Sequence, residues 1–294
     1  LEADPCREAV MAARVARADA NSMFYGASRA RIKGIGLEYV DFREYSFGDD
    51  VRHVDWRLSA RMIKPDGEMR LIVKEYEAER RVHVVFAADL SGSRLFGSKL
   101  WVLVYSASLA SHLASRLEDE ATLITLGRGR RVFWRVQPGL IPRILYTLIC
   151  KGGVGGDSRL GDLIPLLRRL GAGSRLMLLT DYDHRPGEAY MLAKTLRLMG
   201  ARGQAIIASD RAEVEPPVDG NPLLAFRSME GGGIVLGRMD ELYSEIRRHV
   251  RSVRAAFASK GMGVLELRGR EAAVRGKARI AGAYLALRSG LRMR

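Results

Sequence analysis

Val82-His83-Val84-Val85-Phe86-Ala87-Ala88-Asp89-Leu90-Ser91-Gly92-Ser93 is the stretch on which the reading of the whole chain turns. Its first half is an apolar, partly β-branched run of the length expected for a strand buried on both faces. Its second half is Asp-x-Ser-x-Ser, which sets three oxygen side chains on the turn at the strand's carboxyl end. In a parallel sheet that end opens on the crevice where ligands collect. Asp89, Ser91 and Ser93 are alternate residues and can converge on one small hard cation, which takes oxygen ligands. So short a string is not specific by itself, and its meaning depends on the sequence around it.

Downstream, Leu100 to Leu117 has helical periodicity. Ala121 to Leu126 reads as a strand, Gly127-Arg128-Gly129-Arg130 as a hairpin turn, and Arg131 to Val136 as the returning strand. That hairpin places one antiparallel strand on an edge. Ile141 to Cys150 is helical. The Gly-rich segment Gly152 to Gly156 leads into Asp157-Ser158-Arg159-Leu160 and a helix through Leu170; it lacks the Gly-Lys-Ser/Thr ending of a phosphate-binding loop. Arg175 to Thr180 is a second buried strand, ending at Asp181. Helix Pro186 to Leu198, strand Gln204 to Ala208, helix Met239 to Ser259 and strand Gly263 to Leu267 continue the alternation. Ala212 to Gly233, with Pro216, Pro217, Asn221-Pro222 and three consecutive glycines, reads as an irregular excursion. Ala278 to Leu287 is a last short helix in an Arg-rich end. Strands alternating with helices predict an α/β fold, a doubly wound, mostly parallel sheet with helices on both faces. If the strands ending at Asp89 and Asp181 are neighbours where the winding reverses, both carboxylates face one crevice.

Upstream, Glu8 to Ala20 is rich in Ala and Arg and predicts a helix. Lys33 to Arg57 then alternates aromatic residues with charges of both signs around a Gly48-Asp49-Asp50 turn. Short strands and Arg–carboxylate pairs are expected, making a small β-rich N-terminal subdomain. Arg43, Arg52 and Arg61 are expected to pair with nearby carboxylates, and Trp56 to be buried. The alternative is a docking surface made of the same residues. The chain thus divides into 1–80, the sheet domain 81–270, and a basic C-terminal helix and tail 271–294.

The formal net charge is +14, mostly from Arg. Such a balance favours anionic partners, whether nucleic acid, an acidic protein face or an anionic membrane surface, unless it is simply a solvated face. Cys6 and Cys150 are far apart and have no metal-ligand spacing, which suits a reducing cytosol. The opening residues, interrupted by Glu2, Asp4, Arg7 and Arg14, do not read as a secretory signal, and Leu100 to Leu117, which carries Ser and His, reads as a packed helix and not a membrane span. A cytoplasmic location is expected, or the inner face of the membrane if an anchor precedes Leu1.

No nucleophile–base arrangement stands out, so the chain is not expected to be an enzyme. His83 lies inside a strand and His112 inside a helix, where packing is the simpler role. His184, three residues after Asp181, is near enough to the crevice to be a candidate acid or base.

Asp89, Ser91, Ser93, Ser158 and Asp181 together resemble the metal-ion-dependent adhesion site of von Willebrand factor type A domains. Ser158 stands where those domains usually have Thr, and Tyr182 where they usually have Gly. Gly34-x-Gly36-x-Glu38, Asp41, Arg43-Glu44-Tyr45, Gly48-Asp49-Asp50, Arg52, Asp55-Trp56 and Ala60-Arg61, with Lys74 following, resemble the signature of the domain of unknown function 58 family. That resemblance implies a type A-like domain and a MoxR-type AAA+ ATPase as partner. The five oxygen residues are expected to hold one Mg²⁺ weakly, with a coordination position left for a partner's carboxylate, because Mg²⁺ demands octahedral oxygen geometry and two carboxylates make no dedicated cage. Glu38, Asp41, Arg43, Tyr45, Asp49, Arg52, Asp55, Trp56 and Arg61 are then signature residues with a docking role. A metal-free, hydrogen-bonded cluster of the same five residues is the competing expectation, and Arg94 favours it unless its charge turns outward or pairs with Asp183. The expected function is a protein-interaction or adaptor module. The alternative is a nucleic-acid-associated protein that binds through its Arg-rich surface.

Overall fold

The computed structural model describes residues 4–29, 39–46, 51, 54–62, 69–76, 81–171, 173–215, 222–227 and 234–289. Contacts group Leu1–Met23 with Val82–Arg294 in one compact unit, and Phe24–Arg81 form a second. The first helix and the C-terminal helices, set apart from the sheet domain in the sequence reading, therefore belong to the larger unit.

In chain order the elements begin with α1 (Pro5–Arg29), β1 (Tyr39–Glu44), α2 (Trp56–Ser59) and β2 (Ile72–Tyr76). They continue through β3 (His83–Leu90), α3 (Lys99–Arg116), β4 (Glu120–Gly127), β5 (Arg131–Val136), α4 (Ile141–Cys150), α5 (Leu163–Leu170) and β6 (Arg175–Thr180). Next come α6 (Pro186–Leu198), β7 (Arg202–Ser209), α7 (Arg211–Val214), β8 (Leu223–Arg227) and β9 (Ile234–Arg238). The chain ends with α8 (Met239–Ala258), β10 (Gly263–Arg268), α9 (Gly269–Arg275) and α10 (Lys277–Ser289).

The larger unit is built on a six-stranded sheet of order β10-β7-β6-β3-β4-β5. All neighbouring pairs are parallel except β4 with β5, which form the expected antiparallel edge. Strand β3 is central because its apolar run satisfies both faces of the sheet; from Val84 to Leu90 every residue is buried. Side chains alternate across the pleat. Val85, Ala87, Ile124, Leu176, Leu178, Ala205 and Ile207 pack under Leu163, Leu167, Leu192, Leu196, Val253 and Phe257 of α5, α6 and α8. The opposite face carries α3 and α10, where Phe86 stacks on Tyr284 with ring centroids 6.4 Å apart. Asp119, buried beside Tyr284, accepts hydrogen bonds from the Tyr284 hydroxyl at 2.5 Å and from Val82 N at 3.1 Å, tying α10 to the base of β3.

The chain winds outward from β3 through β4 to β5, then crosses to β6 on the other flank of β3. The carboxyl ends of β3 and β6 thus flank the point where the winding reverses, where α/β sheets open a crevice. Gly127, at the end of β4, has φ +108°, and a Cβ there would lie 2.6 Å from the Leu90 carbonyl oxygen. The Gly-rich loop crosses the same end, with Gly155 N donating to Leu90 O at 2.8 Å and Gly92 N to Gly156 O at 3.0 Å.

Three expectations change. The excursion after β7 contains α7 and an antiparallel pair of strands, β8 and β9, because Leu223–Arg227 and Ile234–Arg238 form a backbone ladder. Cys6 and Cys150 are joined in a disulfide spanning 144 residues. Such bonds persist in oxidising compartments and in intracellular proteins of hyperthermophiles, so the pair gives no ground for a reducing cytosol. No helix among the described residues is long and apolar enough to cross a membrane.

The third change lies in the smaller unit. Its strands β1 and β2 pair antiparallel, with Asp41 opposite Glu75 and Arg43 opposite Val73. Tyr45 N donates to Leu71 O at 2.8 Å. Asp55 caps α2, its Oδ1 accepting from Arg57 N and Leu58 N, each at 3.0 Å. Buried Ser59 accepts from Ile72 N at 2.8 Å. Trp56, expected in a core, is 56% exposed on the first turn of this short helix. Its replacement by Ala should therefore cost about 1 kcal/mol or less, not the several kcal/mol of a buried ring. A melting temperature several degrees below the parent's would contradict that exposure. Arg61 is exposed, and among the described residues no carboxylate pairs with it. Glu38, Asp49 and Arg52 lie outside the described residues.

Candidate functional site

The crevice between the ends of β3 and β6 is filled by a buried charge network. Asp89 is the penultimate residue of β3, Asp181 follows the last residue of β6, and parallel pairing of the two strands brings them together. Ser91 N donates to Asp89 Oδ1 at 3.0 Å, which folds the turn after β3 back over the carboxylate. Ser91 and Ser93 share a hydrogen bond at 3.1 Å, and Ser93 Oγ donates to Asp181 Oδ2 at 2.9 Å. Four of the five residues expected to converge therefore do so. Ser158 is also buried beyond the Gly-rich loop, but among the described residues no hydrogen bond joins it to this network.

Cations of the chain itself sit between the carboxylates. Arg94 is fully buried, and its Nη2 lies 2.7 Å from Asp89 Oδ2 and 3.1 Å from Asp181 Oδ1. Lys99, the first residue of α3, places Nζ 3.0 Å from Asp181 Oδ2 and 2.5 Å from Glu213 Oε1 on α7. Arg94 thus turns inward onto Asp89 and Asp181, neither outward nor onto Asp183. The sequence reading did not include Lys99 in the site; its only signal was a positive charge six residues after Ser93 at a helix start.

His184 joins the network through Thr180. Thr180 Oγ1 donates to Asp89 Oδ2 at 3.0 Å, so it accepts from His184 Nε2 at 2.6 Å, and the imidazole carries its proton on Nε2. His184 Nε2 is also 3.3 Å from Asp89 Oδ2. Tyr182 does not narrow the crevice; its hydroxyl reaches away to Glu266 Oε2 on β10, 2.9 Å distant.

The electrostatics follow from burial and pairing. Burial alone would raise the Asp89 carboxyl, but Arg94 and then His184 hold it well below the usual carboxylate range. Asp181 is lowered likewise: burial opposes its charge, and Arg94 and Lys99 outweigh that opposition. Lys99 is raised, because Asp181 and Glu213 overcome the cost of burying an ammonium. His184 is raised above 6.5, since its bond to Asp89 and the charges of Asp89 and Asp181 outweigh burial and Arg94. A raised folded-state value means that His184 stabilises the fold fully below pH 6.5 and loses that contribution as pH rises through its folded value. The groups around it are Thr180, Asp89, Asp181, Asp183 and Arg94. Replacing His184 by Gln should flatten the limb of a melting-temperature profile that falls as pH rises above 6.5. Parallel profiles for parent and variant would show that the ring is neutral throughout.

Asp89, Asp181 and His184 offer ligand atoms within 4.8 Å of one another, a grouping that could in principle hold a metal ion. Mg²⁺ demands octahedral oxygen ligation and keeps several waters. Here each of the four carboxylate oxygens already accepts a hydrogen bond. Adding a divalent ion would set four positive charges, two of them from Arg94 and Lys99, against two buried carboxylates, with Glu213 only partly buried beside Lys99. With Arg94 and Lys99 seated, the residues do not fit Mg²⁺.

No curated protein matches the chain. Among solved structures it is similar to the conserved hypothetical protein BatB from Bacteroides thetaiotaomicron, with 16% identity over 69% of this chain and 98% of that one and a TM-score of 0.42. A similar match, 16% identical with the same coverages and a TM-score of 0.43, is an aerotolerance-related membrane protein from Bacteroides fragilis. An uncharacterized membrane-spanning protein from Vibrio fischeri is 14% identical over 68% of this chain and 98% of that one, with a TM-score of 0.23. None of these likenesses bears on what the chain does. The family model described as protein of unknown function DUF58 matches residues 41–261, three-quarters of the sequence, and the chain belongs to that family.

Proposed function

We propose that the chain is a protein-interaction module with a von Willebrand factor type A-like sheet domain and a small β-rich N-terminal subdomain, working with a MoxR-type AAA+ ATPase. The observation that carries the reading is the turn immediately after Arg94. Leu95 and Phe96 are 43% and 38% exposed there, at the rim of the crevice, while Ser93 and Arg94 beneath them are buried. A partner that covered these two adjacent apolar side chains would remove them from water. The buried charge network supports the same reading, because it fixes the turn's position so that little ordering cost remains on binding. Mg²⁺ has no part in this docking, since Arg94 and Lys99 already neutralise the crevice. Nothing in the network provides a nucleophile activated by a free base, which favours binding over turnover.

The test is a titration of the full chain with the purified ATPase, by calorimetry. The double variant Leu95→Ser, Phe96→Ser should weaken binding at least tenfold, and Leu95→Ser alone, which spares the Phe96 ring 5.7 Å from the Lys99 ammonium, should weaken it in the same direction without loss of the fold. Chelator should have no effect. An affinity unchanged in the double variant would reject this surface. Binding to nucleic acid that collapses with added salt, with none to the ATPase, would favour the Arg-rich surface as the working face.

A further inference from the structure

We infer that the Arg94 guanidinium, backed by the Lys99 ammonium, is the resident cation of the crevice, so that this chain keeps a two-carboxylate, two-serine cation cradle with no need of a metal. The inference rests on the reading of the crevice alone and is independent of which partner docks at its rim. Arg94 Nη2 touches both carboxylates, at 2.7 and 3.1 Å, and Thr180 Oγ1 lies 3.3 Å from it. One nitrogen therefore bridges Asp89 and Asp181, the role a bound cation would otherwise fill. Lys99 adds a second contact on Asp181 Oδ2, the oxygen that also accepts from Ser93.

The seating is governed by charge. Among the described residues, no hydrogen-bond partner meets the buried Nε and Nη1 of Arg94. A side chain that leaves two donors unmet in the interior is costly to hold there. A long, flexible Arg would turn to solvent unless the two carboxylates outweighed that cost. They do so because neither carboxylate could be buried without a cation. The network is thus mutually dependent: the carboxylates hold the guanidinium, and the guanidinium permits their burial. A guanidinium stays charged at any pH at which the fold survives. A cradle filled in this way is constitutively loaded, indifferent to the supply of divalent ions, whereas a weak Mg²⁺ site would fill and empty with it.

The experiment uses the full chain and Mn²⁺ as the probe, with bound and free ion distinguished by electron paramagnetic resonance. The parent should bind no stoichiometric Mn²⁺, and its melting temperature should be unmoved by Mn²⁺ or chelator. Arg94→Met should bind one Mn²⁺ at least tenfold more tightly than the parent, and the double variant Arg94→Met, Asp89→Asn should lose that gain. The parent measurement decides the matter even if Arg94→Met does not fold. One equivalent of Mn²⁺ on the parent, abolished by Asp89→Asn, would overturn the inference. So would a folded Arg94→Met that binds Mn²⁺ no better than the parent.

Discussion

Replacing Arg94 by Met should lower the free energy of unfolding by about 3–5 kcal/mol, the cost of removing one partner from a buried ion pair. Methionine fills much of the same volume, so the loss reads charge and not cavity. Without the guanidinium, the partners that Asp89 keeps among the described residues are the Thr180 hydroxyl, the Ser91 amide and His184. Asp181 keeps Lys99, Ser93 and the Asp183 amide. Asp89 is therefore the more exposed to the loss, and its carboxyl should rise from its lowered state toward and above the usual range. A raised carboxyl is neutral and tolerated at low pH and becomes a buried, uncompensated charge as pH climbs. The deficit of the variant should accordingly be largest at neutral pH and shrink as pH falls through the carboxylate range. Urea unfolding of parent and variant at several pH values measures it. A deficit below about 1 kcal/mol at neutral pH would mean that Lys99 and His184 carry the compensation between them.

Arg94 also marks where sequence reasoning stops. The buried run from Val84 to Ala88 is legible because a strand covered on both faces has no polar side to show, and the Gly-Arg-Gly-Arg hairpin is legible because glycine permits the tight reversal. Convergence of Asp89 and Asp181 follows from those elements, since the ends of neighbouring parallel strands must lie side by side. The direction of a side chain at a strand end does not follow. Arg94 is one residue beyond Ser93, and sequence alone allows it to face water or the crevice; only the balance of two carboxylates against two unmet donors decides. Lys99 escaped notice because a Lys at a helix start is ordinary unless something buried waits for its charge. The β8–β9 pair was obscured by the Pro and Gly residues around it, which signal irregular chain more strongly than five-residue strands signal order. Trp56 was misplaced because an aromatic ring in a charged block implies burial only when a core is nearby, and α2 is a single capped turn.

The cysteine pair illustrates a different kind of gap, since spacing along the chain says nothing about two residues brought together by helix docking. Reducing the Cys6–Cys150 bond is expected to cost about 2–4 kcal/mol, because the closed loop is long and its opening returns conformational freedom mainly to the unfolded chain. The bond links the first turn of α1 to the last residue of α4. Otherwise α1 is held by a narrow stripe of small residues, Ala9, Ala12, Ala13, Ala16 and Ala20, all buried. Polar ties add to them: Asp19 accepts from Tyr105 at 2.8 Å and from Lys277 at 2.7 Å, and Glu8 pairs with Arg270. An alanine face buries little area per residue, so the covalent link should carry a large share of what keeps the N-terminal end of α1 docked. Reduction should therefore lower the unfolding midpoint and also raise amide exchange in the first turns of α1 more than in β3. Cys6→Ser and Cys150→Ser should each reproduce the reduced protein, and reductant should not destabilise either variant further. A thiol assay on the unreduced, denatured chain that finds two free cysteines would dispose of the bond, and with it the expected difference between the two conditions.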